Sequence, residues 1–273
     1  VVDLRAYTKR IGVAADVEKP VADLNFLRQI ILAHTQTIPF ENLNVLMRRT
    51  VPLDLESLES KLLHCARGGY CFEQNALFAE VLAQIGYRVE RLAGRVVWGA
   101  SAAPPWQNPR THMLLLVHVG GERFLCDVGF GGVTPTAPLP FTLNERLETP
   151  NETYRIVEQG EVCLLQAEIA GQWLDVYLFD LQPQSAIDYE MANHYVATHP
   201  ASQFRYTLMA ARAFEGGRYH LRNRTVTIFT RGEKEQRELE GPDAQLDALR
   251  DYFGIEVPDV SEFVASLEHV RED

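Results

Sequence analysis

At Gly86 the chain changes its hydrophobic period, and that switch restricts the available folds more than any other feature of its 273 residues. Before it, Leu24, Leu27 and Ile31, and then Leu55, Leu58 and Leu62, recur every three or four positions, the repeat of one helix face. Asp23 and Asp54 stand where N-terminal caps or first-turn acids belong. A third helix is expected to begin near Cys71 and run through Phe72, Leu77, Phe78, Val81, Leu82 and Ile85 to Gly86, a natural C-terminal stop. From Tyr87 the apolar residues gather into short runs rich in valine, leucine and aromatics, at 95–98, 111–119, 123–128 and 162–169, punctuated by glycine and proline. Residues 225–230 alternate as a strand, and a charged turn then leads to an amphipathic helix over 242–253 on Leu246, Leu249 and Phe253. The expected organisation is an α+β chain: a helical bundle over 1–86, an antiparallel sheet able to close into a barrel over 87–200, and a mixed α/β segment over 201–273. Two proline-containing loops, 99–110 and 133–150, are long enough to suggest a functional role.

Composition narrows the function classes. With 46% hydrophobic residues the chain can bury a large core, and no apolar run approaches the roughly 18 residues needed to cross a bilayer. The first thirty residues lack the basic start and apolar centre of a signal peptide, so the cytoplasm is the expected location. The four cysteines, Cys65, Cys71, Cys126 and Cys163, contain no C-x-x-C pair and are too sparse for a disulfide framework. A formal charge of −11 would repel a nucleic-acid backbone. It also requires any polyanionic co-substrate to meet a local patch of donors rather than a favourable global field.

The segment Arg67-Gly68-Gly69-Tyr70-Cys71-Phe72-Glu73-Gln74-Asn75 sets two glycines before a cysteine that opens a helix, which reads as a flexible approach to a thiol backed by helix amides. A helix start with a cationic neighbour lowers a cysteine pKa from about 8.5 into the ~3.5–7.5 range, making thiolate the expected resting form. A lone cysteine is more often a small buried hydrophobe, so its company decides the reading.

That company comes from a hairpin. If Gly120-Gly121 forms a two-residue turn, Val119 faces Glu122 and His112 faces Gly129. Asp127 then shares a sheet face with His112 as a diagonal neighbour, with Cβ atoms about 7–8 Å apart or less. A bulge or a three-residue loop would shift the register and separate the pair. Together Cys71, His112 and Asp127 supply nucleophile, general base and orienting group. The other histidines, His34, His64, His118, His194, His199, His220 and His269, have no such context and read as structural or exposed. There is no G-x-S-x-G elbow, phosphate loop or H-E-x-x-H zinc helix, and His64, Cys65 and Cys71 lack metal-pair spacing, so no metal is expected.

Three blocks carry a family resemblance: Pro39-Phe40-Glu41-Asn42-Leu43, residues 67–75, and Asp127-Val128-Gly129-Phe130-Gly131-Gly132. Together with Leu4-Arg5-Ala6-Tyr7 and Arg10-Ile11-Gly12, they make the chain similar to the arylamine N-acetyltransferases over essentially its whole length. The resemblance implies a helical bundle, a β-barrel and an α/β lid, with a cysteine-protease-like triad on Cys71, His112 and Asp127. It implies acetyl-CoA as co-substrate, arylamines, arylhydrazines or hydroxyarylamines as acceptors, and an acetyl-cysteine intermediate in a ping-pong exchange. It further implies Phe40, Phe130 and Phe204 as acceptor-pocket walls and Trp98, Thr111, Gly131 and Gly132 as coenzyme A contacts. A cysteine hydrolase, a transglutaminase-like enzyme or an amide synthase would use the same three residues. A non-enzymatic binding protein of the same fold would lack a reactive thiol.

Overall fold

The computed structural model describes residues 1–14, 20–99, 105–230 and 233–271. Its first part is helical: α1 (Leu4–Arg10), α2 (Leu24–Thr37), α3 (Leu43–Leu46), α4 (Leu55–Glu59) and α5 (Cys71–Ile85), with a π-helical turn at Ser60–His64. The Asp23 and Asp54 carboxylates accept from the N–H groups of Phe26 and Ser57 at 2.7 and 2.9 Å, capping α2 and α4. Gly86 ends α5 in the left-handed conformation, with φ at 109°. A two-residue strand, β1 (Phe40–Glu41), interrupts the bundle.

An eight-stranded antiparallel sheet follows, from β2 (Arg88–Val96), β3 (Arg110–Val119), β4 (Glu122–Cys126), β5 (Leu139–Pro140), β6 (Leu147–Glu148), β7 (Thr153–Gln159), β8 (Val162–Ile169) and β9 (Gln172–Phe179). Its strand order is β5-β4-β3-β2-β9-β8-β7-β6. Leu139 and Leu147, on the two edge strands, share one core with Leu92, Leu114, Leu116, Tyr154, Leu165 and Tyr177, so the sheet curls nearly closed around them. The run Met113-Leu114-Leu115-Leu116-Val117 explains its own unbroken hydrophobicity. Leu114 and Leu116 fill the barrel, while Met113, Leu115 and Val117 pack with Phe72, Phe78 and Leu82 of the helical layer.

Helix α6 (Ala186–Thr198) leads to a second sheet of β10 (Met209–Phe214), β11 (Gly217–Arg222), β12 (Thr225–Thr230) and β13 (Glu233–Glu238), followed by α7 (Gly241–Phe253) and α8 (Val260–Leu267). One edge strand of this sheet is β1, with Phe40 opposite Ala211 and Glu41 opposite Ala210, and the other is β13. The helical segment and the C-terminal segment are thereby joined through the very residues that lead toward Cys71.

The mixed α+β architecture and the hairpin register agree with expectation. Val119 faces Glu122 and Leu115 faces Cys126 across the Gly120-Gly121 turn, whose φ values are +60° and +86°. Several bounds differ. The strand expected at 95–98 is β2, starting at Arg88, where Arg88, Glu90 and Arg91 mask the period. The strand expected at 123–128 ends at Cys126. The 133–150 loop contains β5 and β6, while of the 99–110 loop residues 100–104 lie outside the described residues. The charged turn after Thr230 becomes β13 from Glu233, residues 231–232 lying outside the described ones.

Candidate active site

The site forms where the first turn of α5 meets the open end of the β3–β4 hairpin. Cys71 is the first residue of α5, and the Glu73 carboxylate accepts from the Tyr70 N–H at 3.1 Å, satisfying one of the amides this helix start exposes. The Cys71 sulfur lies 3.6 Å from the Thr111 carbonyl oxygen and within hydrogen-bonding reach of the His112 ring. On its other side that imidazole meets Asp127, Nε2 to Oδ2, at 2.7 Å, with both side chains buried.

The β3–β4 ladder stops at Leu115–Cys126, so His112 and Asp127 stand beyond its last pair and are free of strand-to-strand hydrogen bonding with each other. Asn75 replaces the ladder. Its Nδ2 donates to Asp127 Oδ1 at 3.0 Å and to the Met113 carbonyl at 2.8 Å, and its Oδ1 accepts from the Val128 N–H at 3.1 Å. The Gly129 N–H adds a bond to Asp127 Oδ1 at 2.9 Å.

Electrostatics follow from this packing. Burial opposes a charged imidazole, yet the Asp127 carboxylate, helped by the Cys71 side chain, outweighs it and pushes His112 up to about 10. Burial likewise opposes the Asp127 carboxylate, but His112, Asn75 and Gly129 together hold it below its ordinary value. Both partners therefore favour the ionised pair.

The Gly68-Gly69 approach is not flexible, as its glycines suggested, but tightly packed. A Cβ at Gly68 would fall 1.9 Å from the Pro39 carbonyl oxygen, and one at Gly129 would fall 2.7 Å from Cys71 Cα. Arg67 fixes the same junction: its Nε donates to Glu41 Oε1 at 2.8 Å and its Nη2 to Asn44 Oδ1 at 3.1 Å. Lys61 joins this cluster through Glu73 at 2.6 Å. Two of the sequence blocks are thus bonded to one another in space.

Aromatic rings gather beside Tyr70 and beside His112. Phe40 and Phe204 lie 6.2 Å apart, with Phe204 5.8 Å from Tyr70, while Phe130 sits edge-on to His112 at 5.2 Å. Gly131 lies against the Phe40 ring and Gly132 against His220. Trp98 stands 41% exposed where the β2–β9 ladder ends, its backbone N–H donating to the Val176 carbonyl, and no contact among the described residues brings its side chain to the others.

Asn75 and Tyr177 escaped the reading of the sequence. Asn75 could have been found, since it is four residues after Cys71 and shares its helix face. Tyr177, on β9, gave no local signal. Its ring lies 4.8 Å from His112. Its buried hydroxyl makes no hydrogen bond of acceptable geometry, yet burial and the nearby Asp127 charge hold its phenol well above the ordinary value. Among the described residues no cluster of side chains could hold a metal ion, and no helix is long and apolar enough to cross a membrane.

Comparison with known proteins gives the arrangement its relatives. The N-acetyltransferase family model matches residues 23–262. An arylamine N-acetyltransferase of Mycolicibacterium smegmatis is 39% identical over 262 residues, covering 95% of this chain and 94% of that enzyme. The arylamine N-acetyltransferase / N-hydroxyarylamine O-acetyltransferase of Salmonella typhimurium is 41% identical, covering 88% and 85%. The solved structure of Mycobacterium marinum arylamine N-acetyltransferase in complex with CoA superimposes with a TM-score of 0.93 at 39% identity, over 98% of this chain and all of that one. With sequence and backbone in agreement across nearly the full length, the chain belongs to the arylamine N-acetyltransferase family.

Proposed function

We propose that this enzyme moves an acetyl group from acetyl-CoA to the nitrogen of an arylamine or arylhydrazine, carrying it in between on Cys71. The observation that carries the reading is the buried His112–Asp127 bond of 2.7 Å beside a cysteine at a helix start. The Cys71 sulfur, its proton held on His112, attacks the thioester carbonyl carbon. The bond from that carbon to the coenzyme A sulfur breaks, and the departing thiolate takes the proton from His112. A neutral amine then attacks acetyl-Cys71, His112 accepts the amine proton, and the Cys71 sulfur leaves, restoring the starting pair. Asp127 holds the Nε2–H throughout, so the second ring proton comes and goes at Nδ1, the nitrogen left to Cys71.

In this reading Phe40, Phe130 and Phe204 form the walls against which an aromatic acceptor packs through offset or edge-to-face ring contacts. Thr111, whose carbonyl meets the Cys71 sulfur, Gly131, against the Phe40 ring, and Gly132, against His220, are assigned to the donor, and Trp98 to its outer end. A hydroxylated arylamine can accept the same acyl group on oxygen, the reaction for which the Salmonella typhimurium relative is named. The test is intact-mass and peptide analysis after incubation with acetyl-CoA and no amine. One acetyl group on Cys71 is expected, absent in His112→Gln. An unmodified Cys71 in the parent protein would defeat the mechanism, and rapid loss of the acetyl group to water alone would favour a hydrolase.

A further inference from the structure

Behind the site runs a chain of hydrogen bonds that the acetyl-transfer mechanism does not use. The Tyr7 hydroxyl of α1 meets His34 Nδ1 at 3.0 Å, and His34 Nε2 meets Gln74 Oε1 at 3.1 Å. Gln74 Nε2 in turn donates to the Gly69 carbonyl at 2.7 Å and to the Pro39 carbonyl at 3.4 Å. Tyr7, His34 and Gln74 are all fully buried.

The protons in this chain have a single consistent arrangement. Two carbonyl oxygens face the Gln74 nitrogen, so its oxygen must be the atom turned to His34. An oxygen there requires a proton on His34 Nε2. Nδ1 is then an acceptor, and the Tyr7 hydroxyl supplies the donor. A second proton on the ring would face Tyr7 oxygen and leave the tyrosine proton without a partner. Burial, with the Arg10 charge adding to it and the Gln74 bond opposing, holds His34 down at about 3, so the ring stays neutral. The edge of His34 against Phe78, at 5.5 Å, fixes the ring plane.

The last link reaches both halves of the site. Gly69 is two residues before Cys71, and Pro39 immediately precedes Phe40. These two segments also bond directly: the Gly69 N–H donates to the Pro39 carbonyl at 3.2 Å, and the Glu41 N–H donates to the Gly69 carbonyl at 3.2 Å. Gln74 therefore clamps the strand that bears an aromatic wall to the loop that bears the nucleophile. It lies on the same helix as Cys71 but is aimed away from His112, back into the bundle.

We infer that His34 is a positioning residue for acyl transfer, acting through Gln74 on the Gly69 and Pro39 carbonyls to fix the Cys71 sulfur relative to His112 and to the Phe40 wall. This inference rests on Cys71 being the acyl carrier. It assigns a role to a histidine that makes no contact with the reacting atoms, and it makes the tautomer of that histidine, not its charge, the quantity that matters.

Two measurements on the full chain test it. Nitrogen-15 NMR of the imidazoles should show His34 with a bare Nδ1 and a protonated Nε2, unchanged between pH 5 and 9; the opposite tautomer, or a titration in that range, would overturn the inference. In single-turnover acetylation of Cys71, His34→Leu should be slower by about 10–100-fold, the size expected when a nucleophile is displaced by around an ångström. His34→Gln, which can present an N–H to Gln74, should recover to within about threefold of the parent, and Tyr7→Phe should fall between them. Iodoacetamide labelling of Cys71 should follow the same order, and because it needs no acetyl-CoA it tests the relay even if the donor assignment is wrong. Parent protein that fails to acetylate Cys71 would count against the proposed function, whereas a folded Tyr7→Phe or His34→Leu protein that labels and acetylates Cys71 at the parent rate would sink the relay alone. Should His34→Leu not fold, the tautomer and the Tyr7→Phe rates decide.

Discussion

Cys71 and Asn75 stand one turn apart on α5, so the helix that presents the sulfur also holds, through Asn75 Nδ2 at 3.0 Å, the carboxylate that orients His112. The two halves of the site are therefore not independently placed. Movement of α5 relative to the barrel would carry Cys71 and Asn75 together, disturbing at once the approach of the sulfur to His112 and the bond that holds Asp127.

Asn75→Ala should damage stability and chemistry at once. It leaves the Met113 carbonyl and the Val128 N–H without these partners in a buried site, and removes one of the two N–H donors to Asp127 Oδ1. A loss of about 2–4 kcal/mol is expected, since each unsatisfied buried group costs roughly 1–3 kcal/mol and some relaxation follows. Single-turnover acetylation of Cys71 should slow by about 10²-fold beyond the effect on folding, because Asp127 is no longer fixed. Urea melts and rapid-quench acetylation separate the two, and a normal rate in the folded mutant would show that Gly129 alone suffices.

Two glycines three positions apart should respond differently to alanine. At Gly129 the new methyl would meet Cys71 Cα at 2.7 Å and the Cys71 carbonyl oxygen at 3.2 Å, both backbone atoms that cannot swing aside. At Gly132 it would meet only the His220 ring, at 3.5 Å, an ordinary contact. Gly129→Ala is expected to cost about 1–3 kcal/mol from overpacking and most of the acetylation rate, while Gly132→Ala keeps the parent melting temperature. Equal melting temperatures for the two mutants would contradict the close packing of α5 on this loop.

Thiol reactivity offers a test in which exposure and electrostatics disagree. Cys65 is exposed and Cys71 is only 7% exposed, so access alone would label Cys65 first. Cys71, however, opens α5 beside the His112 ring, whose charged form Asp127 favours, and Cys65 has neither neighbour. Cys71 should be alkylated fastest at pH 6. Cys126 should be slowest, since burial, with the Asp127 charge adding to it, pushes its thiol well above the ordinary value. Peptide mapping after brief iodoacetamide treatment reads the order directly, and Cys65 ahead of Cys71 would refute the electrostatic account.

The pair should also mark the pH dependence of stability. His112 is raised, from an ordinary value near 6.5 to about 10, so its contribution is complete below about pH 6.5 and is lost as the pH rises through about 10. Asp127 is lowered, so its contribution is present above its ordinary carboxylate range and disappears as the pH falls through its depressed value. The stability difference between the parent and His112→Gln should therefore shrink between pH 6.5 and pH 10. Urea melts at several pH values measure it, and a difference that stays constant over that interval would mean that the native imidazole is neutral.

What the amino-acid sequence disclosed depended on how local the determining physics was. The helix starts at Asp23 and Asp54 and the stop at Gly86 are set by residues within one turn, and they were readable. The His112–Asp127 pair was readable too, because a two-residue turn and strand parity fix a face without knowledge of the rest of the fold. The pairing of Phe40 with Ala211 was not, since β1 is two residues long and its partner lies in the last third of the chain. Strand β13, Glu-Lys-Glu-Gln-Arg-Glu, is exposed at every position and carries no apolar period, so it read as a charged turn; such charges are what protects a sheet edge from pairing with another chain. His34 read only as structural or exposed because its two hydrogen-bond partners, Tyr7 and Gln74, are brought to it by the packing of α1, α2 and α5.

Asp127→Asn removes one charge while keeping the shape of the side chain, and the hydrogen bonds around it dictate how it fails. Oδ1 accepts from both Asn75 Nδ2 and the Gly129 N–H, so the oxygen of an asparagine would be retained on that side and its NH₂ turned to His112. A donor facing His112 Nε2 forces the ring proton to Nδ1, toward Cys71, and an imidazole in that tautomer cannot take the thiol proton. The reverse orientation would set an NH₂ against two N–H donors in a buried site, at a cost of roughly 1–3 kcal/mol for each unsatisfied group. The first orientation should therefore prevail, and the mutant should fold. In a serine triad the corresponding change lowers turnover by about 10⁴, and a thiol depends less on its base, so a loss on the order of 10²–10³ in Cys71 acetylation is expected here. Nitrogen-15 NMR should show a neutral His112 with its proton on Nδ1 and a bare Nε2, where the parent ring is protonated on both nitrogens. If the folded mutant acetylates Cys71 at the parent rate, Asp127 does not select the tautomer, and the role given to the 2.7 Å bond must be abandoned.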